Sequence, residues 1–331
     1  MEDQIRASIT AVGHYVPEGV ITNADLEKLV ETNDEWIQTR TGIQERRYLD
    51  DPDKGSAYMG KMAGQEALER RGMNAEELDL IITSTVTPDY NFPGTSNLIQ
   101  KYLGATHAFA YDMNAACSGF LFALTTAKAY VESGLARKVM VVGADKMTAI
   151  TDYTDRTTCI LFGDAAAAVI VEPSSDETGI IDYVHHTDGD LEGSLIMPGG
   201  GSLRPATHET VDNHEHYVKQ DGRVVFKKAT FGMADVSLDI MRRNELKPED
   251  IAWLVPHQAN LRIIDATAKR MGLDRNKVMI NIQRYGNTTS ATIPLCLYEW
   301  QERLSHGDNI ILAAFGGGFT WGATYLKWSI K

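Results

Sequence analysis

Two stretches of this chain repeat each other at a nearly constant distance. Glu77-Leu78-Asp79-Leu80-Ile81-Ile82 is matched by Asp250-Ile251-Ala252-Trp253-Leu254-Val255, an offset of 173. Val139-Met140-Val141-Val142 is matched by Ile311-Leu312-Ala313-Ala314 at 172, and at that offset Ala116-Cys117-Ser118-Gly119 falls on Thr288-Thr289-Ser290-Ala291. Three matches at one spacing imply two structurally similar halves, residues 1–173 and 174–331. Apolar strands also align by chance, so the rest of the chain must agree with a duplication.

The order of elements agrees. Strand-like runs cover residues 5–16, 80–85, 108–111, 138–142 and 165–171. Helical patterns cover 23–29, 33–39, 55–71 and Ser118 to Ser133, the last ended by Gly134. Strands alternating with helices predict an α/β architecture. A duplicated α/β fold has a natural site at its seam, where strand ends and helix N-termini of both halves meet.

Composition narrows the classes. A formal charge of −13 argues against nucleic-acid binding, and no basic tract contradicts it. Three scattered cysteines, Cys117, Cys159 and Cys296, make no disulfide framework and show no zinc spacing. Without a signal-peptide pattern or a bilayer-length apolar run, the expected address is the cytoplasm, away from membranes. The polar stretch Asp182 to Asp221 holds five of the nine histidines, including His214 and His216. It is read as a solvated loop and not a metal site, because no helical His-x-x-x-His or nearby cysteine supports ligation.

Cys117 lies where a predicted buried strand, 108–111, meets the helix after it. A thiol beside free N–H groups at a helix N-terminus is expected to have a lowered pKa and to be a good nucleophile. The same residue also fits a small packed hydrophobe. Possible partners follow in the second half. His257, in Pro256-His257-Gln258-Ala259-Asn260, ends a strand beside a helix N-terminus and is expected to be neutral. Asn287, in Gly286-Asn287-Thr288, reads either as an N-cap or as a donor toward a site. Gly316-Gly317-Gly318 lacks the following Lys-Ser/Thr of a phosphate loop, and fits a flexible turn or an oxyanion hole.

These motifs, Ala-Ala-Cys117-Ser-Gly, His257-Gln-Ala-Asn, Gly-Asn287-Thr and Phe315-Gly-Gly-Gly-Phe-Thr-Trp-Gly, closely resemble β-ketoacyl-acyl carrier protein synthase III, in the family's order. The resemblance runs from about Ile5 to the C-terminus. It implies the thiolase fold, five αβαβα layers made from two similar halves, and a homodimer. It implies that Cys117 takes an acyl group from acyl-CoA, and that the acyl group then condenses with malonyl-acyl carrier protein as CO2 leaves. No cofactor is expected beyond the CoA thioesters themselves. The Cys117 and Gly318 N–H groups would form the oxyanion hole, with His257 and Asn287 stabilising the enolate. Trp36, Arg40, Thr41, Arg156, Asn260 and Arg262 match the family's CoA contacts. Phe92 resembles the residue that closes the partner subunit's acyl pocket. Lys227, Arg262, Lys269 and Arg270 form the basic face expected to meet the acidic carrier protein.

Some positions depart from the family. Ala165 to Ala168 stand where glycines are common, Thr289 where a smaller residue is, and Arg223 where an asparagine is. The 182–221 stretch has no evident counterpart. A related condensing enzyme of secondary metabolism, of polyketide or quinolone type with another acyl acceptor, is the competing expectation.

Overall fold

The computed structural model describes residues 5–174, 176–189 and 193–331. Residues 1–4 and 190–192, which fall within the N-terminal and loop readings above, lie outside the described residues.

Two mixed sheets carry the fold. The first runs in the order Arg6–Tyr15, Ala165–Ser174, Val139–Asp145, Leu80–Ser84, Phe109–Met113. Its last three strands are parallel, and the first two are antiparallel to their neighbours. The second sheet repeats this with Gly179–Thr187, Thr320–Lys327, Asn309–Gly316 and Trp253–Pro256, in the same relative directions. Its fifth strand is reduced to one parallel bridge, Leu254 to Val278.

Side-chain alternation along each strand separates the layers. Leu80, Ile82, Val139 and Val141 face a central layer with Phe120 and Leu124 of the helix Gly119–Glu132, and with Ile293 and Leu297 of the helix Thr292–Trp300. Ile310, Leu312 and Ala314 of the second sheet enter the same core from the other side. The intervening residues point outward. Ile81, Met140 and Val142 pack on Met59, Ala63 and Ile99. Ile311, Ala313 and Phe315 pack on Met233, Ile240 and Ile264. Helices, sheet, helices, sheet, helices make the five layers expected. Each fully buried aliphatic or Phe side chain contributes about 1.5–3 kcal/mol, so the central helices are held by two sheets at once.

Several expectations are corrected. The 108–111 strand is Phe109–Met113, and it is the half-exposed edge of its sheet, not a buried strand. The helix at 23–29 closes after Leu26. Residues 182–187 are not loop but part of the strand Gly179–Thr187. Histidines hid that strand from a reading based on apolar alternation; His185 is tucked against Phe122, with ring centroids 4.2 Å apart. The two cysteine-type turns correspond at 173, not 172, and sheet pairing makes Ile310, not Ile311, the counterpart of Val139, an offset of 171 (310 − 139). Ala116 and Thr289 both adopt the left-handed backbone, with φ of 47° and 52°, which sets Ser290 opposite Cys117. No helix among the described residues is long and apolar enough to cross a membrane.

Candidate active site

Cys117 sits in a tight turn, Ala116–Ser118, between the edge strand and the central helix. Ala116 in the left-handed region costs about 1–2 kcal/mol, and contacts across the seam hold it there. Ser118 Oγ donates to Thr320 O at 2.9 Å, and Thr320 Oγ1 donates to Ala115 O at 2.8 Å. A Cβ on Gly119 would meet Ser84 Oγ at 1.9 Å, and one on Gly316 would meet the Cys117 nitrogen at 2.6 Å. Gly316 is therefore required by its close approach to backbone, and the 316–318 run is more than a flexible turn.

The thiol itself departs from expectation. Cys117 is 8% exposed, and burial followed by the nearby Asp145 carboxyl pushes its pKa up to about 12. A backbone N–H and the Asn287 side chain pull the other way, but desolvation wins. Burial therefore opposes the lowered pKa that the helix terminus predicts for this thiol.

Asn287 is oriented by the backbone. Its Oδ1 accepts from the Thr289 N–H at 2.9 Å, which turns the amide NH2 group away from that contact, and the side chain acts to lower the Cys117 pKa. The Oδ1 contact is cap-like and the effect on Cys117 is that of a donor, so the two sequence readings of Asn287 are compatible. His257 is fully buried, and desolvation lowers its pKa to about 3, so the ring is neutral. Its Nδ1 lies 2.8 Å from Thr292 Oγ1, and its Nε2 has no partner among the described residues. Gln258 steadies this segment: its amide donates to Pro256 O and Met279 O, and its oxygen accepts from the Asn281 and Ile282 N–H groups. Thr292 and Gln258 escaped sequence reasoning, because a buried Thr or Gln has no local signature.

A cavity of about 410 Å³ opens on Cys117. Gly317, Gly318 and Thr289 border it, with Met147, Ile150 and Phe162 giving an apolar wall. Leu195, Met197 and Val218 complete it. These last three come from the stretch read as a solvated loop. Its ends pair as short strands, Leu195–Ile196 with Lys219–Gln220, and Val218 N–H donates to Ile150 O. His214 is paired with Asp152 at 2.6 Å.

The other predicted contacts separate into three places. Trp36 lies under two guanidinium groups, Arg156 at 4.9 Å and Arg40 at 5.7 Å from its ring centroid. Thr41 is buried beside it, its hydroxyl donating to Ile37 O and accepting from the Ile43 N–H, a helix-closing duty. Asn260 caps the helix Leu261–Met271 and donates to Arg40 O at 2.9 Å, which ties this platform to the His257 segment. On the outer face, Arg262 covers the Phe226 ring and Arg270 pairs with Asp235 at 2.6 Å. Lys227 and Lys269 are exposed and make no ion pair among the described residues. Phe92 is 87% exposed and takes no part in its own chain's cavity.

Comparison with known proteins shows the family. The family model described as 3-oxoacyl-[acyl-carrier-protein (ACP)] synthase III matches residues 111–189, and that of its C-terminal part matches 241–328. Beta-ketoacyl-[acyl-carrier-protein] synthase III of Chlorobium phaeovibrioides is 55% identical over 328 residues, 98% of this chain and 100% of the relative. The chain belongs to the synthase III family. The 3-oxoacyl-[acyl-carrier-protein] synthase III structure from Aquifex aeolicus is 42% identical with a TM-score of 0.89, covering 97% of this chain and 100% of that one. Synthase III membership brings the thiolase fold with it, as the five layers and duplicated sheets require. The priming β-ketosynthase of the R1128 polyketide pathway shares the fold at a TM-score of 0.89 but is 33% identical, over 98% of this chain and 97% of that one.

Proposed function

We propose that this chain is the initiating condensing enzyme of type II fatty-acid synthesis. The observation that carries the reading is the cavity of about 410 Å³ that opens on Cys117; the Asn287 side chain acts to lower the pKa of that thiol, and the buried, neutral His257 has an unpartnered Nε2. Cys117 sulfur attacks the acyl-CoA thioester carbonyl. A new C–S bond forms, the old one breaks, and CoA departs as the free thiol, carrying the cysteine proton. The N–H groups of Cys117 and Gly318 hold the oxyanion in between.

Malonyl-acyl carrier protein then binds, and loss of CO2 leaves an enolate. Two neutral donors suit its oxygen, the Asn287 amide and His257 Nε2–H. The tautomer this requires, with the proton on Nε2, is the one in which Nδ1 accepts from the Thr292 hydroxyl at 2.8 Å. The carbanion attacks the acyl-Cys117 carbonyl, which yields β-ketoacyl-acyl carrier protein and the free cysteine.

Trp36, Arg40, Arg156, Asn260 and Arg262 would bind CoA, with Thr41 supporting the helix that carries Trp36 and Arg40. Lys227, Arg262, Lys269 and Arg270 would receive the carrier protein. The open edge Phe109–Met113, with Phe109 48% exposed and Phe92 almost fully so, suits a homodimer in which Phe92 closes the partner's acyl cavity. We place this dimer in the cytoplasm, working without a cofactor. The test is a panel of acyl-CoAs with malonyl-acyl carrier protein, following product mass. Acylation of Cys117 with no β-ketoacyl product from any primer would refute the assignment.

A further inference from the structure

The two halves treat their equivalent helix starts differently. Leu80 and Trp253 hold the same place in the two sheets, and they pair with Val139 and Ile310. Counting along those strands, Asp145 corresponds to Gly316, and each is paired with the first residue of the next strand, Ala165 or Thr320. Gly316 adjoins Cys117 and leaves its N–H unobstructed by any side chain. Asp145 adjoins Ser290, the counterpart of Cys117, and fills that space. Its Oδ2 accepts from the Ser290 N–H at 3.1 Å and from Ser290 Oγ at 2.5 Å. Its Oδ1 accepts from the Val86 N–H at 2.8 Å and from Thr85 Oγ1 at 3.1 Å. The carboxyl group is wholly inaccessible to solvent.

We propose that Asp145 is a positioning residue: by gripping Ser290 it fixes the turn at 289–292 from which Asn287 and His257 are aimed. Three contacts connect them. The Thr289 N–H orients Asn287 Oδ1, and the Thr292 hydroxyl touches both Thr289 O and His257 Nδ1. Thr289 is a β-branched residue with φ of 52°, a conformation that persists only when its surroundings enforce it. Asp145 supplies that enforcement from the neighbouring residue, doing at the second half's turn what an oxyanion does at the first. Val86, held by the other carboxyl oxygen, also borders the cavity, so one side chain joins two of its walls.

The inference rests on the proposed assignment of enolate stabilisation to Asn287 and His257. Asp145→Asn is the direct test, because an NH2 group cannot accept from either Val86 or Ser290. Ser290→Ala removes one of the same contacts, together with the hydroxyl's contact to Ser84 O at 2.9 Å, and leaves the Asp145 carboxyl in place. Three quantities are read: acyl loading of Cys117 by intact mass, condensation with malonyl-acyl carrier protein, and the ring 15N shifts of His257. Displacing positioned groups by a fraction of an ångström should lower condensation about 10- to 100-fold, while acyl loading does not fall, because losing the Asp145 charge removes one cause of the raised Cys117 pKa, and the KM for acyl-CoA is unchanged. Ser290→Ala should move the same way by less, and it decides the matter if Asp145→Asn does not fold. Equal losses in both half-reactions, or no loss in a folded variant, overturn the proposal. Should the wild-type protein acylate but not condense, the functional reading fails separately. The His257 shifts then decide, and shifts identical to wild type overturn the role given to Asp145.

Discussion

The Cβ that Gly316 lacks would lie 2.6 Å from the backbone nitrogen of Cys117, and 3.1 Å from its own Cβ. Backbone cannot yield to such a contact as a flexible side-chain tip can, so the cysteine turn and the strand end Asn309–Gly316 depend on a missing methyl group. Gly316→Ala should displace the Cys117 N–H from the forming oxyanion. Acyl loading, followed by intact mass after mixing with acyl-CoA, should slow by about 100-fold or more. Wild-type loading in the variant would show that this N–H does not bind the oxyanion.

A buried thiol with its pKa at about 12 should be a poor thiolate at neutral pH. Alkylation of Cys117 by iodoacetamide is expected to rise steadily from pH 6 to pH 10, without the plateau that a pKa near 7 produces. A plateau below pH 8 would restore the helix-terminus expectation that burial overturns here.

The two half-reactions should separate by mutation. Asn287→Ala removes a donor to the enolate but no part of the oxyanion hole. It should still form acyl-Cys117 while condensation falls about 100- to 1000-fold. Cys117→Ala should take up no acyl group yet retain some release of CO2 from malonyl-acyl carrier protein. An Asn287 variant that is folded but cannot be acylated would assign the amide to the nucleophile instead.

Acid stability should report the buried imidazoles. Burial lowers His257 from 6.5 to about 3 and His185 to about 4. Between those values and 6.5 the unfolded chain binds protons that the folded chain refuses, so stability falls as pH drops through that window. The thermal midpoint should therefore decline from pH 6.5 toward pH 4, and less steeply in His185→Phe. An unchanged slope in that variant would mean His185 is protonated in the fold.

Carrier-protein docking should depend on the basic face around the helix Leu261–Met271. Lys269→Glu should raise the KM for malonyl-acyl carrier protein far more than that for acyl-CoA, and added salt should shrink the difference. Arg270→Glu should act more weakly, because Arg270 is already paired with Asp235. Equal changes for the two substrates would move the docking surface elsewhere.

Local chemistry made much of this protein legible. Cys117, His257 and Asn287 each sit at the junction of a strand or turn with a helix, and such junctions leave a trace in spacing and residue type. The duplication was visible because buried strands repeat as apolar runs. The strand Gly179–Thr187 was not, since it carries Asp182, His185 and His186, whose partners are remote in sequence. The cavity wall from Leu195, Met197 and Val218 was missed for a related reason: a polar stretch gives no sign of which few residues turn inward.

The sequence by itself determined the α/β alternation and the repeated apolar strands, because period and turn chemistry are local properties of the chain, while the layers and the candidates Cys117, His257 and Asn287 came from motifs that resemble the synthase III family. Tertiary structure decided the state of those side chains. Desolvation, a sum over everything packed around a group, raised the Cys117 thiol and kept His257 neutral. The offset at the cysteine turn became 173 only when two left-handed residues, Ala116 and Thr289, were seen at matching places. Asp145 and Ser290, 145 positions apart in sequence, meet only because the seam brings the end of one half's strand to the start of the other half's helix.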